Sequence, residues 1–200
     1  MARCLRTRVR VEIDPIKGSR FVATAAPAIG EDAAQVLLRE LRDEWPDASH
    51  HCWAWRLASP AIERAGDDGE PSGSAGRPIL SAIVGRDLVD TAVVVTRWFG
   101  GTKLGVGGLV RAYGSAAASA LDAGEVTDWV ATVELLVEHD HADTGPVERT
   151  LADLELASAD PDWAATVRRT VTVPVAEVDL MWQRLADATR GRVSPRSTPD

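Results

Sequence analysis

Lysine is nearly missing from this 200-residue chain. Lys17 and Lys103 stand against twenty arginines, a bias of the kind that GC-rich bacterial genomes impose. Cysteine is as scarce: Cys4 and Cys52 alone exclude a disulfide framework and fit a reducing compartment. No apolar run reaches the roughly 18 residues a membrane-spanning helix needs, so no membrane partner is expected. The opening MARCLRTRVRVEIDP lacks the apolar core of a signal peptide, and the expected location is the cytoplasm. No group of residues has metal-ligand spacing. His50 and His51 are adjacent on a strand pattern and would point to opposite faces. No metal and no cofactor are expected.

What is present is an ordinary globular composition, 45% apolar and 26% charged, enough for one large domain or two small ones. The net charge of −8 is unevenly spread. Residues 1–125 carry 15 basic and 16 acidic side chains, whereas 126–200 carry 7 and 14. The second part therefore repels polyanions, and a basic patch is expected only in the first. The chain carries no signature of an oligomeric state.

The most informative stretch is Val93 to Gly124. A β-branched run, Val93 to Thr96, leads into a loop containing Gly100, Gly101, Gly105, Gly107 and Gly108, and then into an alanine-rich helix. Arg97, Lys103 and Arg111 surround the loop, and residues 91–121 contain no acid. Glycine-rich strand-to-helix loops present backbone N–H groups to anions. They equally serve tight turns and close helix–strand packing. Composition leaves both uses open.

Elsewhere the periodicity sets the elements. Residues 7–13 and 21–26 read as strands around a Pro15–Gly18 turn. A helix opens at Gly30-Glu31-Asp32, buries Ala34, Leu37, Leu38, Leu41 and Trp45, and ends at Pro46. HHCWAWRL (50–57) reads as a strand with His51, Trp53, Trp55 and Leu57 on one face and Cys52 and Ala54 on the other. Cys52 reads as a small buried residue; a His50–Cys52 dyad is the weaker alternative. Residues 58–78 read as one long loop with acids at Asp67, Asp68 and Glu70, followed by Ser72, Gly73, Ser74, Gly76 and Arg77. Loops of this length inside a domain serve a function or are disordered. The carboxylates are expected to cap backbone N–H groups in preference to binding a divalent ion. A helix is expected from Pro78, a doubly buried strand over 88–98, and a helix over 108–122 with Gly124 beyond it.

A second unit is expected from residue 126, giving domains of 1–125 and 126–200. Trp129 to Val137 alternates as a half-buried strand. A helix capped by Asp143 or Thr144 follows. Strands over 155–159 and 163–173, a helix over 175–189 and a weak last strand over 192–196 complete it. That order is ferredoxin-like, so the fold class is α+β in two domains.

DDGEPSGSAGRPIL (67–80) and VVVTRWFGGTKLGVGGLVRAYGSAA (93–117), with HHCWAW (50–55) and SRFVATAAP (19–27), resemble the IMPACT family in its bacterial, YigZ-like branch. Trp98 and Ser74 stand where tyrosine and threonine are usual. The resemblance implies a first domain like ribosomal protein S5 domain 2 and a second like the fifth domain of elongation factor G. It also implies translation regulation. Eukaryotic members restrain an amino-acid-starvation kinase by competing for its ribosome-associated activator, using an extra N-terminal domain with no counterpart here. That role is not expected to transfer.

Two functional classes compete. The first is a non-enzymatic, translation-associated binding protein contacting RNA or a ribosome-associated partner through Arg97, Gly100, Gly101, Lys103, Gly105, Gly107, Gly108 and Arg111. Trp53, Trp55, Trp98 and Phe99 would then be the base-stacking candidates. The alternative is a phosphate-ligand-binding enzyme of the small-molecule-kinase type. There Gly105–Gly108 would cradle phosphate, Lys103 would supply charge, and Asp67, Asp68 or Glu70 would hold a metal. That alternative rests on fold-level analogy.

Overall fold

Continuous β-branched runs form strands buried on both faces, and alternating ones form strands wetted on one side. Both kinds occur in the computed structural model, which describes residues 2–194. The chain divides into two compact units at the Trp129–Val130 bond.

The first unit comprises β1 (Arg3–Leu5), β2 (Val9–Ile16), β3 (Ser19–Pro27), α1 (Gly30–Glu44), β4 (His50–Leu57), β5 (Ile62–Gly66), α2 (Gly76–Val84), β6 (Thr91–Trp98), α3 (Val106–Ala123) and β7 (Val126–Asp128). Five strands form one sheet in the order β2-β3-β6-β4-β5, with every neighbouring pair antiparallel. β6 lies at the centre, and both faces are covered, so its sequence does not alternate. Val93 and Val95 face α2 and α3, in a core with Phe21, Cys52, Ile79, Tyr113 and Ala116. Ala92 and Val94 face α1, in a core with Leu37, Leu41 and Trp55. The alanines of α3 let that helix lie close to the sheet.

Two sequence expectations change here. Residues 58–78 are not one loop. Residues 62–66 form β5, paired with β4 from Leu57–Ile62 to Trp53–Gly66, and α2 begins at Gly76. An edge strand reading IERAG has three exposed residues in its middle, so it carries no apolar alternation to find. The division between units falls after Trp129 instead of after residue 125, because residues 126–128 pair with β1.

The second unit comprises β8 (Thr132–His139), α4 (Thr144–Asp153), β9 (Ala157–Ser158), β10 (Asp162–Trp163), β11 (Val167–Pro174) and α5 (Val178–Thr189). β11 is paired antiparallel with β8 on one side and with β9 and β10 on the other. Val137, Val147, Leu151, Val171, Met181 and Leu185 form its core. Asp143 does not cap α4; its carboxylate takes two hydrogen bonds from Arg192, at 2.6 and 2.9 Å. Among the described residues 192–194 form no strand, and residues 195 and 196 lie outside the described range.

One backbone contact fixes how the glycine loop leaves the sheet. Gly100 lies so close to the β2–β3 turn that a Cβ there would sit 1.9 Å from the Gly18 carbonyl carbon. Gly100→Ala should therefore lower stability by roughly 2 kcal/mol or more. Gly145→Ala in the first turn of α4, where a Cβ meets nothing within 4 Å, should change it by less than about 0.5 kcal/mol. Urea unfolding of both variants checks the contrast.

Candidate functional site

The Gly18–Gly100 contact seats the β2–β3 turn beside the glycine loop. Lys17, in left-handed conformation at φ 49°, is held there next to the head of α3. The residue before that helix, Gly105, has φ 73° and ψ 162°, a conformation open to glycine and strained for other residues. The helix has no side-chain cap and no acid in its first turn, so its dipole and free N–H groups face outward. Lys17, Lys103 and Arg111 are exposed, and among the described residues none of the three makes an ion pair. A cleft of about 300 Å³ lies between turn and helix, lined by Ile16, Lys17, Leu104, Gly108, Arg111 and Ser115. Gly108 and Arg111 thus line this cleft with Lys17, and Lys103, Gly105 and Gly107 are exposed in the adjoining loop and first turn of α3. The sequence reading left Lys17 out, because no local pattern places the β2–β3 turn here.

Arg97 is not part of this surface. The sequence groups it with Lys103 and Arg111 as a contact residue, but it is 3% exposed. On β6 it pairs across the sheet with Phe21 and His50, under α3. One guanidinium nitrogen pairs with the Glu70 carboxylate, and another donates to Ser19 Oγ at 3.0 Å. Gly100 N–H donates to the same Ser19 oxygen at 3.2 Å. Tyr113 Oη, from α3, donates to Glu70 Oε1 at 2.7 Å. His50 Nε2 lies 3.8 Å from that oxygen. Glu70, 5% exposed at its side chain, therefore ties the acidic loop to β6 and α3, and so to the glycine loop above.

The other acids of the loop act on backbone, as expected. Asp67 accepts N–H bonds from Gly73, Ala75 and Gly76 at 2.8, 2.9 and 2.8 Å, closing the loop onto the head of α2. Burial opposes its charge, but these three donors outweigh that and hold the carboxyl below the ordinary carboxylate range. Asp68, at φ 44°, accepts the His51 N–H at 2.6 Å and pairs with Arg42 at 2.6 Å. Glu70 is the exception, since it caps no backbone group and serves Arg97 and Tyr113. Ser74 donates to the Pro71 carbonyl at 2.6 Å. Ser72 and Arg77 are exposed.

Cys52 donates to the Asp67 carbonyl at 3.0 Å, and burial pushes its thiol up to about 12. It is a packed core residue, and no thiolate is available for a dyad with His50. Burial likewise raises Tyr113, helped by its neighbours Cys52 and Glu70. Among the stacking candidates, Trp98 is occupied by Trp45, edge-on at 5.5 Å, and by the Arg20 guanidinium at 4.4 Å. Phe99 is exposed beside Arg97.

An antiparallel sheet with helices on both faces, and an acidic loop buttressing an open glycine-rich helix head, define a mixed α/β protein of two units. The Impact N-terminal domain matches residues 17–121, and the chain belongs to the IMPACT family. The IMPACT family member YigZ of Escherichia coli is 34% identical over 182 residues, covering 90% of this chain and 89% of that protein. The IMPACT family member in pol 5'region of Thermus thermophilus is 38% identical over 179 residues, covering 89% and 97%. The yeast protein IMPACT homolog is 36% identical over 100 residues, 46% of this chain and 38% of its own. A crystal structure described as that of a hypothetical protein aligns with a TM-score of 0.70 at 31% identity, covering 98% of both chains.

Removing Arg97 would leave the Glu70 carboxylate buried without its cation. Arg97→Ala should therefore cost about 3–5 kcal/mol, while Arg97→Met with Glu70→Met should cost less than the sum of the single changes. Denaturant unfolding of the double-mutant cycle measures this. Asp67→Asn should cost about 1–2 kcal/mol at pH 7. Asp67 has a depressed carboxyl in the folded chain, so its contribution is complete above the unfolded value of about 4 and fades as pH falls through the folded one. The gap between wild type and variant should accordingly close at acid pH.

Proposed function

We propose that this chain is a non-enzymatic, translation-associated regulatory protein that binds RNA, or a ribosome-associated partner presenting phosphate, through Lys17, Lys103, Arg111 and the backbone of Gly105 to Gly108. The observation that carries the reading is the uncapped head of α3 with three exposed cations around it that make no ion pair among the described residues. Such a helix head favours anions through its dipole and N–H groups. Membership of the IMPACT family supports the link to translation. The first unit, with α1 on one face of a five-stranded sheet and α2 and α3 on the other, supports kinship with ribosomal protein S5 domain 2. The second, with strand order β10-β11-β8 under α4 and α5, supports a ferredoxin-like relation to the fifth domain of elongation factor G. The cytoplasm is the compartment this role requires.

The small-molecule-kinase alternative needs carboxylates free to hold a metal. Asp67, Asp68 and Glu70 are instead engaged by backbone N–H groups and by arginines, which favours the binding reading.

Lys17→Ala, Lys103→Ala and Arg111→Ala should fold normally, since all three side chains are exposed. Each should weaken binding to ribosomes or bulk RNA and lower the slope of log K against log salt by roughly one unit for duplex and about 0.7 for single strands. A fluorescence titration across a salt series reads the effect. Unchanged affinity in all three variants would remove the surface from consideration.

A further inference from the structure

On the opposite face of the same sheet, a second site combines aromatic rings with unmatched positive charge. α1 packs over β3, β6 and β4, with Trp53 and Ile62 partly buried at the margin of that core, while the middle of β5 is exposed. There Trp53 and Trp55 stack, with ring centroids 4.0 Å apart and planes 14° from parallel. Gly66 stands opposite Trp53 in the register. A Cβ at that position would lie 2.5 Å from the indole, so glycine is what lets the ring occupy its seat. Gln35, Arg39 and Arg42 follow one another at helical spacing along the flank of α1, and Arg64 rises from β5. The resulting cleft has a volume of about 500 Å³ and is lined by these side chains with Glu31, Leu38 and the two tryptophans. That volume is within the range of small-molecule sites.

Two further features suit a ligand. Trp55 is 4% exposed and lines the cleft, and among the described residues its buried Nε1–H has no acceptor. Arg42 is matched by Asp68 at 2.6 Å and Arg64 by Glu31 at 3.4 Å. Arg39 is exposed, and among the described residues it makes no ion pair. Three guanidinium groups thus meet two acids, in a chain whose net charge is −8. Guanidinium forks match phosphate oxygens bidentately, and indoles match the faces and edges of bases.

We propose that the Trp53–Trp55–Arg39 cleft binds a nucleotide, with the base against the tryptophan pair and the phosphate on Arg39. The shared chemistry is a base carrying a 5′-phosphate, whether free or as a unit of single-stranded RNA. The site shares no residue with the glycine surface and does not depend on the function assigned to it.

Calorimetry on the full chain, with inorganic phosphate, adenosine, AMP and hexa-adenylate RNA, tests it. AMP should bind on the order of tenfold more tightly than either phosphate or adenosine. Arg39→Ala should weaken AMP on the order of tenfold, and Arg39→Lys should recover part of the loss. Arg149→Ala, an exposed residue of α4 in the second unit, should leave AMP binding unchanged. Hexa-adenylate binding more tightly than AMP identifies an RNA source, and equal binding identifies the free nucleotide. Absence of AMP binding at millimolar concentration, AMP no tighter than phosphate, or Arg39→Ala equal to wild type would overturn the proposal.

Discussion

A buried carboxylate must be paired, and that requirement at Glu70 organises the first unit. Its side chain is almost wholly removed from water and is held by the Arg97 guanidinium and the Tyr113 hydroxyl. Arg97 reaches on to Ser19, and Ser19 accepts the Gly100 N–H. One charge therefore fastens the acidic loop, the end of β6, the start of β3 and the middle of α3 to one another. The loop that delivers Glu70 is itself closed by Asp67 on three N–H groups. Losing either acid would loosen a chain of contacts, because unpaired buried charge costs more than a well-made pair contributes.

This arrangement sorts charge by sign. The acids of residues 67–70 are spent inward, on backbone, on Arg97 and on Arg42. The basic residues around the glycine loop, apart from Arg97, are exposed and make no ion pair among the described residues. The motif richest in polar residues is thus a support, and the plainer glycine loop above it is the open surface. Glu70 joins the two motifs through Arg97 and Tyr113, beside the packing of Ile79 against Tyr113 and Ala116 in one core. Close backbone packing at Gly18 and Gly100 then adds Lys17 to the same surface.

Much of the fold was legible in the sequence. β4 begins and ends at the residues its alternation marks, and the buried stripe of α1 matches the spacing at Ala34, Leu37, Leu38 and Leu41, while Trp45 is the half-buried C-cap. The unbroken apolar run of β6 correctly signals burial on both faces. What escaped was set by tertiary contact. β5 has no apolar period because it is an edge strand. Arg97 reads as a contact residue of the glycine loop because nothing local announces that Glu70 will meet it. Lys17 looked like a turn residue because its nearness to α3 depends on two glycine backbones touching. Asp67 and Asp68 were readable as caps; Glu70, in the same run, was not, since its partners lie 27 and 43 residues along the chain.

Amide hydrogen exchange on the full chain, with and without ribosomes, tests most directly whether the glycine loop is the contact surface and the acidic loop its support. Protection should appear at residues 101–111 and at the Lys17–Gly18 turn, with 67–76 unchanged. Protection confined to 67–76, with the glycine loop exchanging as in the free protein, would contradict that division of roles.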